Sequence, residues 1–315
     1  MSEGQIMSLK TYKLYRTIKT LVFGIMLYVG ITLMFLGSGI GQSYIVRENA
    51  QQASKRLTIK SADKNRREVT SYDASKTKSI NITELWRAKK YPANPIGRMS
   101  IPVVNIHNPL FQGFGSHNQN LSYGVVTAVN GRTLGAKNNY VLAGHYMGNY
   151  GPAILDNLHY MKIDDIIYVT DMHKIYAYQA KVISFTVKPN QIEVENNQPG
   201  NSLITLITCS DFNIPKYGYG KHRTVVQGQL IGSVPATKNN MVSCELTDRD
   251  NQANKIRANQ AKTIDPATKK VVLVRKPART KLYQNISFKH IAAFYTGAFL
   301  LIMIAFLIKI WLPLN

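Results

Sequence analysis

Three side chains stand at the ends of apolar runs, where chemistry needs them. Cys209 closes Leu203-Ile-Thr-Leu-Ile-Thr-Cys209, just before a polar segment running from Ser210 to His222. A thiolate is a strong nucleophile, although a thiol of ordinary pKa is only slightly ionised at neutral pH. His145 closes Tyr140-Val-Leu-Ala-Gly-His145, and imidazole suits proton transfer near neutrality. Arg223 opens Arg223-Thr-Val-Val-Gln-Gly228 and carries a permanently charged fork of donors suited to an oxyanion. Singly, each has a plainer reading: a core cysteine, a structural histidine, a surface arginine. His222 is the rival base; in an extended strand it faces away from the side that Arg223 faces.

The elements that must carry these groups read as β. Between Arg98 and Pro235 the chain offers short runs rich in Val, Ile, Tyr and Thr at Met99–Ile106, Tyr140–Ala143, Ile166–Thr170, Ile175–Val187, Leu203–Cys209 and Thr224–Ile231. Asp171 to Lys174 has the look of a hairpin turn, and a short helix is expected around Ala153–Met161. Gly113–Asn120 and Gly144–Gly151 are loops. These patterns predict a mostly β barrel or sandwich over 98–235. Cys244 falls beyond it in a polar tail, with no expected role.

Charge and hydropathy divide the rest. The chain of 315 residues has a net charge of +22, of which 101–235 hold only +2 while 42–100 and 236–290 hold +8 each. The basic excess lies in Lys/Arg/Asn/Gln/Ser-rich stretches such as Lys55–Arg67 and Lys269–Lys281, which argues against nucleic-acid binding and for solvated linkers lying near anionic lipid or wall polymer. Residues 42–97 and 236–290 are accordingly read as basic linkers. Two cysteines exclude a disulfide scaffold. Residues 21–41 and 291–312 are expected to be transmembrane helices, the first an uncleaved anchor. Lys10, Lys13, Arg16 and Lys19 put the tail 1–20 in the cytoplasm and 98–235 on the extracellular face of the cell membrane.

The Thr-Leu-x-Thr-Cys run at 205–209, Leu-Ala-Gly-His 64 residues before Cys209 and an Arg 14 residues after it together resemble the sortase family. Gly97-Arg-Met-Ser-Ile-Pro102, Pro109-Leu-Phe-Gln-Gly113 and Val225-Val-Gln-Gly228 extend the resemblance over about 96–235. It implies an eight-stranded sortase-type β-barrel with short helices, flanked here by two transmembrane helices. It also implies a cysteine transpeptidase of Gram-positive bacteria. Such an enzyme cleaves the Thr–Gly bond of a Leu-Pro-x-Thr-Gly-like sorting signal and passes the surface protein to an amine of a cell-wall precursor.

Carried onto this chain, the resemblance makes Cys209 the nucleophile, His145 the acid and base, and Arg223 the oxyanion or backbone donor. Thr208 would help shape the site. The loop Lys188–Ser202, with Ile192, Val194 and Pro199, would line the pocket for the Leu-Pro part of the signal. No cofactor is expected. Some class A sortases bind Ca²⁺ between acidic residues of two loops, but Gly113–Ser122 holds no Asp or Glu, so no metal site is expected. The second span is typical of pilin-polymerising class C enzymes, yet their Asp-Pro-aromatic lid motif is missing from 42–98; Asp265-Pro266 is the one Asp-Pro pair. The reading is class A-like. Its alternatives are the pilin polymerase, a tethered cysteine hydrolase with water as acceptor, and a non-enzymatic scaffold binding anionic wall polymer.

Overall fold

The computed structural model describes residues 8–148, 153–212, 220–247, 262–264, 271–273 and 288–312. Eight strands close into a barrel: β1 (Pro95–Ile101), β2 (Ile106–Phe111), β3 (Val125–Thr127), β4 (Asn139–Ala143), β5 (Ile166–Thr170), β6 (Lys174–Val187), β7 (Leu203–Phe212) and β8 (Gly220–Pro235), in the order β1-β2-β3-β4-β7-β8-β6-β5. Closure removes the open edges of this sheet. The pairs β2–β3 and β4–β7 are parallel, and the remaining barrel pairs are antiparallel. Leu110, Val125, Leu142, Ile167, Val169, Ile204, Leu206 and Val226 fill the interior. Each contributes about 1.5–3 kcal/mol by leaving water.

The strand expected at Met99–Ile106 is two strands. Pro102 starts a short 3-10 turn to Val104, and Asn105 takes a left-handed φ of 54° that reverses the chain into β2. The hairpin expected at Asp171–Lys174 joins β5 to β6. Oδ1 of Asp171 accepts the backbone N–H groups of His173 (2.9 Å) and Lys174 (2.7 Å), an Asx-type turn. The helix expected at Ala153–Met161 is a 3-10 helix over Asp156–Tyr160.

Both linker expectations are corrected where the chain is described. Residues 39–97 contain α2 (Gly39–Lys55), α3 (Ile59–Asn65) and α4 (Ile82–Ala88), and Val46, Ala53, Leu57, Ala62, Leu85 and Ala88 are buried. The inward face of α2 is mixed: Tyr44, Val46 and Ala53 are buried beside the polar Ser43, Asn49 and Ser54, so the hydropathy of the segment hides it. Arg98 of β1 reaches this layer, donating from Nη2 to the Ser54 carbonyl at 2.8 Å. After the barrel, α5 (Lys238–Ser243) and the residues following it fold back onto β5. Cys244 is not in a solvated tail: it is fully buried with Ile166, Tyr168, Ile175 and Leu246. Asp265-Pro266 and most of Lys269–Lys281 lie outside the described residues; β9 (Lys262–Ile264) and β10 (Val271–Leu273) pair antiparallel.

Helices α1 (Leu9–Gly37) and α6 (Phe288–Trp311) are long and apolar enough to cross a membrane. The first begins inside the expected tail and ends four residues before the expected boundary. Ser38 stops it, its hydroxyl accepting the Gly41 N–H as the cap of α2. The two long helices pack antiparallel. Tyr28 stacks on Tyr295 at 5.0 Å and its hydroxyl lies 2.8 Å from that of Thr296, while the Trp311 indole donates to Thr17 at 3.1 Å.

Candidate active site

The parallel ladder of β4 and β7 has a constant offset of 64 residues, from Asn139 against Leu203 to Ala143 against Ile207. Beyond it, the Gly144 N–H donates to the Ile207 carbonyl (3.1 Å) and the Thr208 hydroxyl to the Gly144 carbonyl (2.8 Å). Continued one residue further, the same offset would bring His145 level with Cys209. The antiparallel ladder of β7 and β8 pairs Cys209 directly with Arg223 and Ser210 with His222. Side chains of directly opposed residues lie on one face, about 5 Å apart at Cβ. The β7–β8 register therefore puts Cys209 and Arg223 on one face at the end of the barrel where β4 gives way to the segment bearing His145.

Cys209 is half-buried and lines a cavity of about 330 Å³ with Thr208, Ser210, Thr224, Phe185, Thr186, Tyr146, Asp156 and His159. Gly220 makes this cysteine possible. A Cβ at Gly220 would stand 2.7 Å from Cys209 Cβ and 3.4 Å from its sulfur, and the Gly220 N–H points at the thiol. Burial pushes the Cys209 thiol up; the Arg223 guanidinium and the Gly220 N–H pull the other way without reversing it. Nη1 of Arg223 is tied to the carbonyls of Gly220 (3.0 Å) and His222 (3.1 Å), which fixes the guanidinium at the strand end.

His145 leaves β4 through Gly144, whose missing side chain admits Ile154 and Leu155 against the backbone. Burial lowers the His145 pKa to about 4. The next turn is held by Asp156, which the sequence reading passed over. Its carboxylate accepts the N–H groups of Met147 (2.5 Å) and Ala153 (3.0 Å), and the Leu155 N–H donates to the His145 carbonyl at 3.3 Å. Burial raises the Asp156 carboxyl to about 7 against the pull of those two donors. Ile154, between Ala153 and Leu155, sits at φ 49°, a conformation costing a β-branched residue about 1–3 kcal/mol. An acid inside the apolar run Ala153-Ile-Leu-Asp-Asn-Leu158 was the signal available for it.

The other expected contacts divide. Thr208 is buried, lines the cavity and binds Gly144. Ile192, Val194 and Pro199 are not among the described residues lining it; Ile192 is 64% exposed. Their segment is bound instead to the base of β4: buried Asn139 donates to the carbonyls of Val194 (2.9 Å) and Asn196 (3.2 Å), and Arg132 to that of Glu195 (2.7 Å).

A closed barrel that sets a half-exposed cysteine opposite an arginine, with a histidine-bearing loop alongside, has the layout of a cysteine acyl-transfer enzyme. A family model described as the sortase domain matches residues 99–231. Over 207 residues the chain is 33% identical to sortase A of Streptococcus agalactiae serotype III (strain NEM316), a match covering 64% of this chain and 82% of that protein. It is 31% identical over 208 residues to sortase A of Bacillus anthracis, covering 64% of this chain and 92% of that one. The crystal structure of Listeria monocytogenes sortase A is similar at 27% identity and a TM-score of 0.42, over 48% of this chain and 96% of that one. The chain belongs to the sortase family and is a cysteine transpeptidase.

Proposed function

We propose that Cys209 attacks the Thr–Gly carbonyl of a Leu-Pro-x-Thr-Gly-like sorting signal while its thiol proton passes to His145. The observation that carries this reading is the register pairing of Cys209 with Arg223 beside the path of His145. With the thiol raised and the imidazole lowered, the resting pair is neutral thiol and neutral imidazole, so attack and proton transfer are coupled. Arg223 donates to the oxyanion of the tetrahedral intermediate. Collapse expels the glycine amine, which takes the proton from His145 and leaves a thioester on Cys209. An amine of a cell-wall precursor then loses a proton to His145 and attacks the thioester. An amide forms, and the proton returns to the thiol.

The barrel acts on the extracellular side in this reading. Lys13 lies at one end of the helix pair, with its Nζ 6.0 Å from the centre of the Trp311 ring, so the basic N-terminus and Lys309 share one face of the membrane. Class A-like anchoring of single proteins is preferred; polymerisation of pilins is the second reading, favoured by the second apolar helix. Incubating the purified chain with a Leu-Pro-x-Thr-Gly peptide, with and without an amine, tests the activity. Amide product dependent on the amine supports it, whereas free acid as the sole product at saturating amine replaces it with a hydrolase.

A further inference from the structure

The α2–α4 layer carries a surface that the reaction does not use. Trp86 is 68% exposed on α4, although the inward side of that helix is filled by buried Leu85 and Ala88. Glu84 is held by Arg87 at 2.6 Å and Lys78 at 3.5 Å, so the acid of this segment is neutralised. Thr83, Lys89 and Lys90, one turn either side of Trp86, are exposed with it. Residues 76–90 hold five basic groups and one acid. An exposed indole followed one turn on by two exposed lysines is the chemistry of a membrane-interface anchor, amphipathic ring at headgroup level and ammonium groups on anionic lipid.

The position of α4 points to the same partner. The chain turns sharply between α1 and α2, since a Cβ at Gly41 would collide with the Phe35 carbonyl. Phe35, Tyr44 and Phe288 cluster at this corner with ring centres 6.4 Å apart. Leu85 of α4 falls in the core cluster that holds Val46 of α2, eight residues past Ser38, and Ala88 falls in the cluster that holds Ala53, fifteen past it. At 1.5 Å per residue, α2 carries those two points no more than about 12 and 23 Å from the end of α1. Packing on α2 thus ties α4 to the helix that continues the chain from α1.

We propose that the Trp86 face of α4, with Lys89 and Lys90, docks on the anionic headgroup layer of the leaflet from which α1 emerges. This rests on α1 and α6 spanning the membrane. Docking adds a third point of attachment and fixes the orientation of the Cys209 groove relative to the bilayer. Anionic wall polymer shares the charge complementarity, but a free indole favours the lipid interface.

Two single-tryptophan versions of the full chain in nanodiscs test this. Trp311→Phe leaves Trp86 as reporter, and Trp86→Phe leaves Trp311. With lipids brominated in the upper acyl chain and an anionic lipid fraction, Trp86 emission is expected to shift to the blue and fall about twofold. Lys89→Glu combined with Lys90→Glu is expected to reverse most of that quenching. Solvent-like, unquenched Trp86 with quenched Trp311 would overturn the docking and leave the spans standing. Neither residue quenched would overturn both. A shift of Trp86 produced by soluble polyglycerol phosphate, without lipid quenching, would overturn the lipid assignment in favour of polymer.

Discussion

Cys209 and Arg223 face each other as a direct pair in the β7–β8 ladder, and the guanidinium is the charge opposing the burial that raises the thiol pKa. Removing it should raise that pKa further. Alkylation of Cys209 by iodoacetamide, followed against pH, should show a midpoint above that of a free thiol, and Arg223→Gln should move it higher still. A midpoint that falls in the variant would separate Arg223 electrostatically from the thiol.

Gly220 is required by contact rather than by backbone conformation. Gly220→Ala puts a methyl 2.7 Å from Cys209 Cβ and forces the nucleophile aside. Displacement of about 1 Å costs reacting groups up to ~100-fold, so kcat should fall at least about tenfold with little change in melting temperature. Full activity in the variant would show that the thiol does not need its present position.

Thr208 ties β7 to the residue before His145. Thr208→Val leaves the buried Gly144 carbonyl without that donor, at a cost of about 1–3 kcal/mol, while Thr208→Ser keeps it. Denaturation and kcat measured on both should show the valine variant impaired in stability and rate and the serine variant close to the parent. Equal behaviour of the two would mean the hydroxyl is idle.

Asp156 and His145 make opposite contributions to the pH dependence of stability. The folded pKa of Asp156 is raised from 3.8 to about 7, so its contribution is full below about pH 4 and lost as pH rises through 7. That of His145 is lowered from 6.5 to about 4, so its contribution is present above 6.5 and lost as pH falls through 4. Each is on the order of 3 kcal/mol, and they offset one another between about pH 4 and 6.5. This pair should therefore add little net slope to the melting of the parent there. Asp156→Asn should melt at rising temperature as pH rises across that window, and His145→Ala at falling temperature. The same slope in both variants would contradict the assignments.

The site was legible because its spacing is a strand register. The 64 residues between His145 and Cys209 equal the offset of the β4–β7 ladder, and the 14 between Cys209 and Arg223 are one rung of the β7–β8 ladder. The runs that form β5 to β8 were legible from their Val, Ile, Tyr and Thr content. The three-residue β3 is too short to show a period, and its Val125 and Val126 are buried because the parallel partner β2 holds them. The α2–α4 layer was hidden by its polar average, and Cys244 by its polar neighbours. Asp156 was missed because its importance lies in two backbone N–H groups, which no side-chain motif records.

The claim on which the mechanism stands is that the sulfur of Cys209 takes the acyl group. Intact-mass and peptide-level mass spectrometry of the full chain, quenched in acid during turnover of a Leu-Pro-x-Thr-Gly peptide, reads it directly. The account predicts an adduct equal to the peptide up to its threonine, located on Cys209, discharged by added amine and missing from Cys209→Ala. Turnover with Cys209 unmodified, or in the alanine variant, would contradict it.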